Sequence, residues 1–240
     1  MNQARRIPVS SGTGETALLL AAERLFAERG IEAVSLRQIN QAANQKNISA
    51  AHYHFGSRDG LVLAVLMHRW PKLDQRRGEL LESNGAVKDV RFYLEAFINP
   101  LVDEMNPREE GNYYLRFMQQ YERYRSDYEV ARSLTPFAVE IYDRIERILY
   151  YLPAPVRQLR MGYLINMIHS VLATAEERLG KNEICHADID LIATNMIDMF
   201  VSALTAPLSV DAIELLAEDR FVPVPPLVPS APGSALDAPD

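Results

Sequence analysis

The side chains best suited to chemistry lie in one short stretch. Asn47, Ser49, His52, Tyr53 and His54 follow one another with little apolar content between them. Amides, hydroxyls and imidazoles are the groups that exchange hydrogen bonds with base edges and phosphate oxygens in a major groove. Metal chemistry fits them poorly. His52 and His54, at i and i+2, point about 200° apart on a helix, out of reach of one ion. His186 and Asp190 stand at i and i+4 without a third ligand, and helix capping by His186 or Asp188 is the simpler account. The sequence has no His-Glu-x-x-His motif, nucleophile elbow or glycine-rich phosphate loop. We therefore expect no catalytic residue, no metal site, no cofactor and no enzymatic activity.

The elements around this stretch read as helices. Leu18, Ala21, Ala22, Leu25 and Phe26 form one apolar stripe on a helix from about Thr13 to Glu28. Gly30 follows where a left-handed residue ends helices. Ser35 caps a second helix, Leu36 to Ala43, whose buried face is Leu36, Ile39, Ala42 and Ala43. Asn44 to Asn47 is a polar turn in which asparagine tolerates the left-handed conformation. A third helix is predicted from about Ile48 to Tyr53, and Gly56-Ser57 breaks it. Ser57 caps a fourth helix from Arg58 to about Trp70, which Pro71 bends or ends. Two short helices joined by a polar turn make a helix-turn-helix, supported by the first and fourth helices.

Several segments of this region resemble TetR/AcrR-family transcriptional regulators, over roughly residues 13–70. Ala22-Glu23-Arg24-Leu25-Phe26-Ala27-Glu28-Arg29-Gly30 is similar to the family's first helix. Ser35-Leu36-Arg37-Gln38-Ile39 is similar to the start of its second. His52-Tyr53-His54-Phe55-Gly56-Ser57-Arg58-Asp59-Gly60-Leu61 resembles its aromatic third helix, Gly-Ser turn and fourth-helix start. The resemblance implies a homodimer with two DNA-binding heads and a divergent helical domain that binds an effector. It places Ser35, Arg37, Gln38, Asn47, Ser49, Ala50, His52, Tyr53, His54 and Arg58 at the DNA. Ser35 and Arg58 would bond phosphates, and Asn47, Ser49 and Ala50 would lie nearest the bases. The chain departs from the family at His52, where many members have tyrosine, and in a turn one residue longer.

Beyond residue 84 the helices are long, apolar and aromatic, near 87–105, 110–131, 136–152, 156–179 and 187–206, with a weaker one from Val210 to Asp219. Pro100 is expected to kink the first of them. Phe117, Met118 and Tyr121 share one helical face, for which core packing is the plain reading; set against Tyr163, Met167 and Met196, they also have the make-up of an effector pocket for a largely apolar small molecule. Arg116, Arg123 and Arg125 would pair with carboxylates. The last two long helices bear apolar residues on more than one side, so a second subunit is the natural cover, with Ala173 and Ala193 allowing close approach.

The expected architecture is all-α. A flexible arm (1–12) precedes a three-helix helix-turn-helix domain (13–60) and a connecting helix (61–84). An effector-binding and dimerisation bundle (85–220) and a proline-rich tail (221–240) follow. The 240 residues carry a net charge of −7, and with 48% apolar residues they exclude a disordered chain. One cysteine, Cys185, excludes a disulfide scaffold and suits the cytoplasm. No run is apolar enough to span a membrane, and Met1 to Ser11 is no signal peptide. Residues 1–60 hold seven basic and five acidic side chains, a charge of +2, so the acidic excess belongs to the rest. The reading is a ligand-responsive repressor that binds a palindromic double-stranded operator as a homodimer. A helical sensor or interaction protein that does not bind DNA is the alternative, and a helical enzyme with an apolar substrate is a third, without an acid–base constellation to support it.

Overall fold

The structure is a computed structural model that describes residues 13–47, 49–83, 87–105, 112–124 and 133–218. The arm 1–12, the tail 221–240 and Arg125 lie outside the described residues. Within them the chain is all-α. In order the helices are α1 (Thr13–Arg29), α2 (Leu36–Ala42), α3 (Ala50–Phe55), α4 (Arg58–Leu81), α5 (Val90–Asp103), α6 (Tyr114–Tyr124), α7 (Pro136–Ile148), α8 (Ala154–Gly180), α9 (His186–Thr205) and α10 (Val210–Ala217).

Helices α1 to α3 and the start of α4 form the head, built around Leu18, Ala22, Phe26, Ile39, Ala51 and Leu61, all fully buried. Helix α1 also packs on α6, so the head shares one continuous apolar core with the rest of the chain. Helix α5 lies against α4, α7 and α9, and α8 against α6 and α9.

Among the boundaries that differ from the sequence expectation, two bear on the head. Helix α3 starts at Ala50 and runs to Phe55, two residues later than the composition suggests. Helix α4 passes through Pro71 and continues to Leu81. Pro71 is exposed, so its ring projects away from the core, while Trp70, Leu73, Arg77 and Leu81 continue one buried stripe. Packing of that stripe outweighs the roughly 3 kcal/mol that an interior proline costs. Helix α5 likewise continues through Pro100.

No single helix among the described residues is long and apolar enough to cross a membrane; α9 and α10 pass such a test only together, bent by 53°.

Candidate nucleic-acid interface

Local signals set the two helices of the turn motif. Ser35 Oγ accepts from Gln38 N at 3.3 Å, and Gln38 Oε1 accepts from Ser35 N at 2.9 Å, a reciprocal capping box at the start of α2. Ser35 and Arg37 are exposed beside this cap, and Gln38 is half-buried. Asn44 takes the left-handed conformation at φ 50°. The longer turn is held by Gln45, whose amide donates to the Gly14 carbonyl at 3.3 Å. Asn47 and Ser49 are exposed, and Asn47 Oδ1 accepts from Ser49 N at 2.9 Å.

Helix α3 is fixed from below. Ala50, Ala51 and Phe55 are buried, and the alanines let it lie close on its neighbours. Ala50 therefore belongs to the core, against the expectation that it lies nearest the bases: its side chain falls on the same side of α3 as Ala51. Asn40 on α2, 2% exposed, accepts from Ala51 N through Oδ1 at 2.9 Å and ties the two helices together. Sequence reading missed Asn40; its only signal was an amide next to Ile39 on the buried side of a short helix.

This leaves His52, Tyr53 and His54 outside, three successive exposed side chains. Tyr53 is 82% exposed, and its ring meets that of His54 edge-on with centroids 5.3 Å apart. Gly56, at φ 72°, ends α3. Ser57 Oγ accepts from Gly60 N at 3.0 Å and caps α4. At Gly60 a Cβ would lie 2.1 Å from the Phe55 carbonyl oxygen, so only glycine permits this tight passage. Arg58 is half-buried, and its Nε donates to the Val34 carbonyl at 3.1 Å, so the side chain is anchored to the head.

The residues expected to line the pocket fall in two settings. Phe117, Met118, Tyr121 and Met196 are buried packing residues. Phe117 stacks on Phe26 of α1 at 6.1 Å, and Tyr121 meets Trp70 of α4 edge-on at 5.9 Å. Tyr163 and Met167 are 63% and 46% exposed on α8. Helix phase placed the first group correctly on one face, but which helix lies opposite is decided by the tertiary fold. Ala173 and Ala193 are buried within the chain, where they serve its own packing. A hollow of about 280 Å³ lies on the outer side of α8 and α9, lined by Ser170, Val171, Thr174, Ala175, Arg178 and Ile192.

Buried polar groups also tie the helices to one another. Arg69 donates to both carboxylate oxygens of Glu23 at 2.7 Å and to Glu104 at 3.2 Å, joining α4, α1 and the end of α5. Asp74 accepts from Phe137 N and Ala138 N at 2.9 and 2.8 Å, capping α7 from α4. Glu176, 1% exposed, accepts from Leu115 N and Arg116 N at 3.1 and 3.0 Å, capping α6 from α8. Arg116 pairs with Glu176 as well, as the sequence suggests, and Arg123 is exposed. At the start of α9 the carboxylate of Asp188 accepts from Cys185 N at 2.8 Å, the expected cap.

Geometry of this kind, a capped helix, a polar turn and a second helix with exposed hydrogen-bonding groups, defines a helix-turn-helix head. Residues 18–65 match the family described as bacterial regulatory proteins, tetR family. The chain is 44% identical over 69 residues to the HTH-type transcriptional repressor Rv3405c of Mycobacterium tuberculosis, a match covering 29% of this chain and 36% of that one. It is 33% identical over 78 residues to the HTH-type transcriptional repressor AcnR of Corynebacterium glutamicum, covering 32% and 39%. The aligned part thus spans little more than a third of either relative. A TetR-family regulator from Streptomyces coelicolor superposes with a TM-score of 0.38 at 20% identity, over 85% of this chain and 99% of that one. Residues 18–65 thus carry a helix-turn-helix head of the tetR type.

Proposed function

We propose that this protein is a cytoplasmic repressor that binds double-stranded DNA as a homodimer and releases it when a largely apolar small molecule binds the C-terminal domain. The observation that carries the DNA half is the outer surface of α3. His52, Tyr53 and His54 are exposed there together, with Asn47 and Ser49 before them and Arg37 on α2, above a buried layer of Ala50, Ala51 and Asn40. Small apolar residues below and donors or acceptors above are what a recognition helix needs. Ser35, Gln38 and Arg58 flank this surface, Ser35 and Arg58 as phosphate contacts.

A second copy of the chain is supported by the apolar side chains left on α8 and α9. Tyr163, Met167 and Val171 are exposed on α8, and Leu191 and Met199, 69% and 55% exposed, on α9. Two such heads would read half-sites roughly 34–36 Å apart, or a multiple of that, on a palindromic operator. The release half is supported by α6. Phe117 packs on Phe26, and Tyr124 Oη donates to the Asp59 carboxylate at the start of α4. Glu176, the Glu122–His169 pair and the bond from Gln119 to Ser170 fasten the same helix to α8. A ligand that binds one arrangement of α6 more tightly would shift the heads, and only that difference in affinity counts.

Selection from a randomised duplex pool, followed by fluorescence anisotropy at two salt concentrations, tests the DNA reading. Enrichment of a two-fold symmetric site supports it. A pool that stays random, with no binding at low salt, leaves the sensor or interaction protein as the better account. Light scattering after size-exclusion should give a dimer; a monomer at micromolar concentration removes the second copy.

A further inference from the structure

We propose that this head takes up protons when it binds DNA, through His52 and His54, so that its affinity for duplex DNA rises as pH falls. The proposal rests on the DNA-binding reading above and adds the proton as a second ligand.

The argument starts from what α3 lacks. Its six residues include no lysine or arginine. Both polar side chains next to Tyr53 are imidazoles, and both are exposed. The next cation along the chain, Arg58, is anchored through Nε to the Val34 carbonyl. Counted with neutral histidines, residues 1–60 carry +2; protonation of His52 and His54 doubles that to +4.

Histidine is the one side chain whose ordinary titration falls between pH 5 and 8. A phosphate beside an imidazole favours the charged form, so a histidine that contacts DNA holds its proton more tightly in the complex than in free protein. Reciprocity then requires that added protons tighten DNA binding. The charged groups on elements packed against α3 do not cancel this. Helix α2 carries only Arg37, and the turn carries Lys46. The first turn of α4 carries Arg58 and Asp59, and Asp59 accepts from Tyr124 of α6. Among the described residues neither His52 nor His54 takes part in an ion pair; their recorded neighbours are the rings of Tyr53 and Phe55.

The test uses the full chain and a fluorescent duplex of random sequence, titrated at pH 7.5 and pH 6.0 with salt held near 0.1 M. The wild type should bind roughly three- to thirty-fold more tightly at the lower pH, as expected for uptake of up to two protons per head. Its salt dependence should steepen by about 0.9 for each added phosphate contact. The double variant His52→Gln/His54→Gln should melt at the wild-type temperature and bind with the same affinity at both pH values. Equal wild-type affinity at pH 6.0 and 7.5 overturns the proposal, and so does a double variant that keeps the full pH effect. No binding at either pH overturns the DNA reading itself, and this inference falls with it.

Discussion

In the head, Asn47, Ser49, His52, Tyr53 and His54 face outward, and the helix starts of α2 and α4 are capped from within by Ser35 and Ser57. From α4 onward, Asp74, Arg77, Glu104, His169 and Glu176 are buried, and Asp74 and Glu176 work between helices far apart in sequence. Ser35 and Asp74 show the difference. Ser35 caps its own helix from an exposed position, next to water that can replace it. Asp74 caps α7 from the buried side of α4, and Thr135, at the cap position of α7 itself, makes no side-chain capping bond. Asp74 also faces the buried Arg77 guanidinium at 3.7 Å, whose Nε has no hydrogen-bond partner and whose group lies 4.5 Å over the Phe97 ring. The outer surface of α3 thus presents its polar side chains to solvent, while buried groups such as Asn40 in the head and Asp74 on α4 set helix positions.

The sharpest way to break this contrast is Asp74→Ala. It strips two α7 donors of their acceptor and leaves Arg77 buried without a counter-charge, so unfolding by urea should show a loss of about 3–5 kcal/mol. Adding Arg77→Met should restore much of it, because a buried pair is often replaceable by apolar groups. Gly78→Ala comes next. Its Cβ would lie 2.6 Å from the Phe137 ring, and overpacking of this sort costs about 1–3 kcal/mol in thermal or urea unfolding.

Ser35→Ala should cost only about 1 kcal/mol by the same measurement. A loss as large as that of Asp74→Ala would show that the head is no more local in its stabilisation than the rest. The smallest effect is expected at Glu176. Burial holds its carboxyl above the usual 4.5, against the pull of the Arg116 and Leu115 N–H groups and the Arg116 charge. A carboxyl raised in the folded state stabilises the fold below its unfolded pKa, and that contribution is lost as pH rises through the folded value. The melting temperature of wild type relative to Glu176→Gln should therefore fall as pH is raised from about 4.5 towards 7. A difference that grows instead would reverse the assigned cause.

Several features of the head were legible for the reason that made them stable. Gly30, Ser35, Asn44, Gly56 and Ser57 act through their own backbone or the next turn, so residue type and position suffice. The exposed His52-Tyr53-His54 run was visible because α3 is too short to spare apolar surface. Where local rules met packing, packing won. Pro71 read as a bend or an end of the helix, and the buried stripe from Trp70 to Leu81 carries α4 through it. Ala50 read as a base-facing residue, yet the head core takes it. What lies opposite the aromatic face of α6 was not legible, for a different reason. Spacing shows that Phe117, Met118 and Tyr121 share a face, but nothing in spacing says that α1, α4 and α8 fill the space before it.

By itself the sequence determined the all-α class, most of the helix starts and ends, and the outward-facing chemistry of α3. Periodicity, capping and turn formation are short-range, and each leaves its mark within a few residues. Only the tertiary structure decided that Asp74 and Glu176 cap helices other than their own, that Arg58 is anchored to Val34, and that Tyr163 and Met167 face outward. Those outcomes depend on which helices meet and at what rotation, and burial makes a polar partner obligatory without naming it in advance.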